Sequence, residues 1–106
     1  MSDILSIAVS GLNAASARVA NAAQNIVNAS STNFSPQDIV SLSNNVGGVA
    51  TEAQTRPASP GDSGSNAVDI AAELVTTLAA KADYGANAAV VKVAQKLDKS
   101  LFDILT

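Results

Sequence analysis

Apolar residues recur at alternating spacings of three and four positions along the first part of the chain. This is a heptad pattern, and it predicts a single helix of about 25 residues within residues 1–29. Ser2 or Asp3 can cap its start, and the Asn-rich and Ser-rich run from Asn28 to Asn33 can stop it. The positions that form the pattern are Leu5, Ala8, Leu12, Ala15, Val19, Ala22, Ile26 and Ala29.

Helical spacing returns in the last forty positions. It predicts a second, longer helix over residues 66–106, capped by Ser65 or Asn66. Asp69 and Glu73 near its start suit the helix dipole, and they are interpreted as helix-start charges. The apolar positions are Val75, Leu78, Ala82, Ala86, Ala89, Val93, Leu97, Leu101 and Ile104.

The middle segment, residues 30–65, has a different composition. It holds all three prolines and four of the six glycines. Weak alternation on both sides of Gly47-Gly48 predicts a small β-hairpin, and residues 57–65 have the composition of a flexible linker. The predicted fold is therefore mainly α: two long terminal helices joined by an irregular segment with a β-hairpin, in a single domain spanning residues 1–106.

The hydrophobic fraction of 47% consists mostly of Ala and Val, with Phe34, Tyr84 and Phe102 as the only aromatic residues. Small side chains bury little apolar area, so an isolated monomer is expected to be marginal and to gain stability by association. Gly11, with Ala8 and Ala15 on the same side, permits close approach by another helix.

Charge and side-chain chemistry narrow the function classes. The formal net charge is −3 and the six basic residues are scattered, so neither nucleic acid nor an anionic membrane surface is expected as a partner. The chain has no His, Cys or Trp. We therefore expect no enzyme, catalytic residue, cofactor, metal site or disulfide. The amino terminus has no basic region before its apolar residues, and no apolar run approaches membrane-spanning length, so we expect neither a cleavable secretion signal nor membrane insertion.

Two groups of motifs resemble those of the bacterial flagellar basal-body rod and hook (axial) proteins. Near the amino terminus they are Ser10-Gly11-Leu12-Asn13-Ala14-Ala15, then Ala23-Gln24-Asn25-Ile26-Val27-Asn28-Ala29, then Phe34. Near the carboxy terminus they are Asn66-Ala67-Val68-Asp69-Ile70-Ala71-Ala72-Glu73-Leu74, Tyr84-Gly85-Ala86-Asn87-Ala88 and Leu101-Phe102-Asp103-Ile104.

The chain departs from the family pattern in several places. Gln24, Val27 and Gly85 replace more usual residues, Thr32-Asn33 stands where Pro-Gly is common, and the middle is shorter than in most rod proteins. The motifs cover both ends of the chain, so the resemblance is to a short member of the family.

The resemblance implies terminal helices that pack as an antiparallel coiled coil with each other and with neighbouring subunits. It implies a structural subunit of the flagellar rod that self-assembles into a helical tube with copies of itself and other axial proteins, and so serves motility. Export would be by the flagellar type III apparatus, without a cleavable signal, to the basal body. The expected subunit-interface residues are Leu5, Ala8, Gly11, Leu12, Ala15, Val19, Ala22, Asn25, Ile26, Asn28, Tyr84, Asn87, Val93, Leu97, Leu101 and Ile104.

An alternative from another class stays open: a reduced soluble paralogue that forms a closed helical oligomer or binds flagellar axial or export proteins. Concentration-dependent growth of a polymer distinguishes the two, because a closed oligomer stops at a fixed size. Asn25 and Asn28 are expected to make turn-forming hydrogen bonds at the helix end. Tyr84 and Asn87 share a helix face, and a subunit contact is favoured there over a packing ring beside an exposed amide.

Overall fold

The computed structural model describes residues 2–31, 34–56 and 69–106. The chain is mainly helical, as predicted: α1 spans Ser2–Val27, β1 Gln37–Ser43, β2 Val49–Thr55 and α2 Ile70–Leu105. The linker predicted over residues 57–65, and the cap predicted at Ser65 or Asn66, lie outside the described residues.

The helix ends are fixed by local hydrogen bonds. At the end of α1 the Asn28 and Ala29 amides donate to the carbonyls of Gln24 and Ile26. Asp69 caps α2, because its carboxylate accepts bonds from the amides of Ala71 at 3.1 Å and Ala72 at 3.4 Å. The second helix therefore begins at Ile70.

The two helices pack side by side in opposite directions. Asn25, near the end of α1, contacts Glu73 at the start of α2. Further from these ends, Arg18 of α1 pairs with Asp83 of α2. Closer to the amino terminus, Gly11 faces the Asn87 side chain.

The surface between the helices, here called the seam, is built mainly of alanine. On each helix its buried members are spaced by seven positions, the repeat that keeps one face turned to a partner. They are Ala8, Ala15 and Ala22 on α1, and Glu73, Ala80 and Ala94 on α2, with Asn87 half-buried in the same series. Alanine at these positions lets the two backbones approach closely.

The hairpin predicted around Gly47-Gly48 is present and antiparallel, with Gln37 opposite Thr55 and Ser43 opposite Val49. Both glycines have positive φ, 96° and 89°, a backbone conformation that side chains disfavour. They also lie close to α1: a Cβ on Gly48 would come within 2.6 Å of the Ser10 hydroxyl. Glycine here both turns the chain and lets the turn rest on the helix.

The molecule is elongated, with extents of 67 × 25 × 15 Å and a radius of gyration of 18.2 Å. A compact domain of this length has a radius of gyration near 13 Å. Two helices packed side by side and one hairpin cannot enclose a large core, so much of the apolar surface is exposed to solvent.

Candidate functional site

A buried polar cluster joins the hairpin to both helices. Asn25, only 1% exposed, donates to the Gln37 carbonyl at 2.9 Å and to Glu73 Oε1 at 3.1 Å, and accepts from the Gln37 amide at 3.2 Å. The Asn25 side chain thus bonds the backbone amide and carbonyl of Gln37, as a neighbouring strand would, and it also bonds α2 through Glu73. Both polar atoms of this side chain are hydrogen-bonded within the chain.

Arg56 links the end of β2 to the same cluster. Its guanidinium donates to Glu73 Oε1 at 3.0 Å and to both carboxylate oxygens of Asp38. The hydrogen bond from Arg56, with its positive charge, holds the pKa of Asp38 below its ordinary value. The same bonds to Asp38 and Glu73 raise the pKa of Arg56.

The cluster is suited to holding the hairpin and the two helices together. Each of its buried side-chain polar atoms has a hydrogen-bond partner. Across residues 2–31, 34–56 and 69–106, no group of three or more His, Cys, Asp or Glu side chains is arranged to hold a metal ion. The arrangement therefore positions the hairpin on the helix pair.

The predicted interface residues of α1 lie mostly against the rest of the same chain. Ala8, Ala15, Ala22 and Asn25 are buried, and Val19 is 37% exposed. Four others are partly covered: Leu5, Gly11, Leu12 and Ile26. The α1 pattern read from the sequence is thus largely the seam itself.

The α2 pattern has a different outcome. All nine of its predicted apolar positions are exposed, and the large side chains among them range from 49% exposed at Leu97 to 77% at Ile104. We call these nine residues the α2 stripe: Val75, Leu78, Ala82, Ala86, Ala89, Val93, Leu97, Leu101 and Ile104. Most of the stripe lies away from the seam. Val93 and Leu97 lie beside Ile4 of α1, and Leu101 continues the seven-residue series of the seam, yet these residues are exposed as well.

An apolar groove of about 310 Å³ lies where the stripe passes the start of α1. Ile4 forms one wall, and its other walls come from α2. Its lining is wholly apolar, formed by Ile4, Ala89, Val90, Val93, Ala94 and Leu97. The groove has the shape and chemistry to receive apolar side chains of a partner helix.

The structure places the four polar or aromatic residues that the sequence analysis named in different environments: Asn25, Asn28, Tyr84 and Asn87. Asn28 makes a turn-forming bond, from Nδ2 to the Gln24 carbonyl at 2.9 Å, as predicted. Asn25 makes no such turn-forming bond, because its side chain is buried and bonds Gln37 of β1 and Glu73 of α2. Asn87 faces Gly11 inside the seam and donates to the Asp83 carbonyl, while Tyr84 is 47% exposed.

Sequence reasoning missed the partners of Asn25. Glu73 was interpreted as a helix-start charge, yet it is 3% exposed and receives hydrogen bonds from Asn25 and Arg56. One signal was available, because Glu73, Ala80, Asn87 and Ala94 follow one another at seven-residue intervals. A search for large apolar residues does not detect that series, because its members are small or polar.

Comparisons with protein-family models and with curated proteins find no match to this chain. Neither α1 nor α2, the helices of the described ranges, combines the length and apolarity needed to cross a membrane.

Proposed function

We propose that the chain is a structural subunit of the bacterial flagellar basal-body rod that assembles through its terminal helices into a helical tube. The observation that carries this proposal is the uncovered α2 stripe. A helix that presents large apolar side chains along its length, on a side its own chain leaves open, is suited to packing against another helix.

The energetics favour association. Full burial of a large aliphatic side chain contributes about 1.5–3 kcal/mol, and the stripe residues are about half to three-quarters exposed. The seam, by contrast, buries mainly alanine, which contributes little area per residue. Contacts between subunits therefore supply apolar burial that the single chain lacks.

We further propose that α1 and α2 form an antiparallel coiled coil. The seven-residue spacing of the buried positions on both helices and their opposite directions support this packing. In such a pair α2 keeps a second apolar side free. Helices with two apolar sides can pack simultaneously inside a subunit and between subunits.

The proposed tube requires contacts between two different patches, since identical patches close into a dimer. The groove beside Ile4 contains Ala89, Val93 and Leu97, whereas Leu101 and Ile104 lie outside it. The carboxy-terminal end of the stripe in one copy and the groove of the next therefore provide such a pair. The carboxy-terminal turns of α2 favour this arrangement, because Leu101 and Ile104 continue the stripe and are more than half exposed.

The remaining parts of the proposal come from the motif resemblance. They are the partners, namely other axial proteins and the flagellar export apparatus, the type III route without a cleavable signal, and the location in the basal body. A purely structural role, without catalysis or cofactor, belongs to the same proposal.

Cryo-electron microscopy of isolated basal bodies that carry a tagged copy of the chain tests the proposal. Density for the tag in the axial tube is the expected result. An intact tube that lacks the protein would instead favour the soluble paralogue with its closed oligomer. Sedimentation over a concentration series separates the same two readings in purified protein.

A further inference from the structure

We infer that the outer edge of β2 pairs with the β2 strand of a second copy, about a two-fold axis at Ala53, to make a four-stranded antiparallel sheet. This contact is separate from the helix surfaces of the proposed tube. A two-fold contact closes on itself, so it yields a dimer and does not depend on the rod proposal.

The register of the hairpin determines which backbone groups are open. Pro36 accepts a bond from the Arg56 amide, and Gly48 accepts one from the Asn44 amide, at the two ends of the ladder. Because bonded and non-bonded pairs alternate, the even-numbered residues of β2 bond to β1 and the odd-numbered ones point outward. The Val49 amide is taken by the Ser10 hydroxyl at 3.1 Å.

Three residues of β2 therefore present outward amide and carbonyl groups: Thr51, Ala53 and Thr55. Among residues 2–31, 34–56 and 69–106 these backbone groups have no hydrogen-bond partner. All residues of β2 after Val49 are exposed. Natural sheets protect such an edge with charged side chains, proline or a bulge. In β2 the only charged residue is Glu52, there is no lysine or proline, and the register is uninterrupted.

The sequence of β2 fits pairing with itself. A two-fold axis at Ala53 places Ala53 opposite its own copy and Thr51 opposite Thr55, and threonine pairs favourably across strands. The same register places Glu52 opposite the uncharged Gln54. Moving the axis by one residue, to Glu52, would oppose two carboxylates, which is unfavourable.

The helices also fit this arrangement. The axis is perpendicular to the sheet, so the α1 helices of both copies lie on the same face. Each α1 contacts both strands of its own hairpin, which places the two helices about two strand spacings, or roughly 10 Å, apart. Helices pack at 8–10 Å, so the pairing brings them alongside without separation of the sheet.

The absence of cysteine from the chain gives a direct test. In the full chain carrying Ala53→Cys, the two thiols lie at a hydrogen-bonded pair with Cα atoms about 5.5 Å apart, within disulfide range. Ala50→Cys is the matched control, since it changes the same residue type in the same exposed strand but leaves the thiols about 20 Å apart.

With oxidised glutathione as oxidant, we expect at least about tenfold more disulfide-linked dimer from Ala53→Cys than from Ala50→Cys on non-reducing gels. Equal yields from the two variants, or no dimer from either, would overturn the inference. A second measurement removes assembly through the stripe. In a chain with Val93→Ser and Leu97→Ser, we expect a dimer in light scattering, and adding Ala53→Pro, which removes an outward amide, should make it monomeric. A dimer that survives Ala53→Pro in that chain would also refute the pairing.

Discussion

The two helices use their apolar residues in different ways. On α1 the heptad positions read from the sequence face the partner helix, and the buried ones are mainly alanine. On α2 the corresponding large residues are exposed, and the buried contacts with the partner are made by small or polar residues: Glu73, Ala80 and Ala94, with Asn87 half-buried.

The difference shows that in this chain the buried apolar side chains are the small ones and the large apolar side chains are exposed. Small residues hold the subunit together because they allow close backbone approach, while large residues are left on the surface where another copy can cover them. Changes in the seam should therefore reduce the stability of the subunit, and changes in the stripe should reduce its assembly.

The largest expected effect is at Asn25. Asn25→Ala removes three hydrogen bonds in a buried site and leaves the Gln37 amide and Glu73 short of partners. We expect the free energy of unfolding to fall by about 3 kcal/mol, measured by urea denaturation. Asn13→Ala, at an exposed asparagine of the same helix, is the control and should change stability by less than about 0.5 kcal/mol.

A smaller loss is expected where the helices approach most closely. Gly11→Leu places a side chain where even a Cβ would lie 2.6 Å from Asn87, and we expect about 2 kcal/mol of destabilisation from overpacking. Gly85→Leu meets nothing within 4 Å of its Cβ and should gain up to about 1 kcal/mol through helix propensity. Similar melting temperatures for the two variants would contradict the close approach at Gly11.

The ion pair at the hairpin predicts a weak pH dependence. Because Arg56 lowers the pKa of Asp38 in the folded chain, the pair stabilises the fold above the ordinary value of 3.8, and the contribution is lost as the pH falls through the lowered one. The carboxylate is half exposed, so the effect should be below about 1 kcal/mol.

Thermal unfolding between about pH 5 and pH 2 checks this sign. The wild-type chain should lose slightly more stability over that range than Asp38→Asn, which has no carboxylate to protonate at this position. An equal or greater loss in Asp38→Asn would show that the pair does not stabilise the folded state.

Much of the fold follows from local patterns in the sequence. The helical spacing predicted both helices, and the Gly47-Gly48 pair predicted the hairpin because a tight turn needs positive φ there. The polar cluster could not be predicted in this way, since Asn25 and Glu73 are 48 positions apart and no local period relates them. Nor does periodicity alone state which apolar side of α2 faces α1.

The most direct test of the central claim is sedimentation velocity of the purified chain over a concentration series, with a stripe variant beside it. In Val93→Ser/Leu97→Ser two exposed large residues of the stripe become polar, while Lys99→Ser changes an exposed residue two positions from Leu97, on the other side of α2. We predict that wild type and Lys99→Ser form species that grow with concentration, and that the stripe variant keeps its melting temperature but stops at a fixed small size. A stripe variant that grows like wild type would contradict assembly through α2.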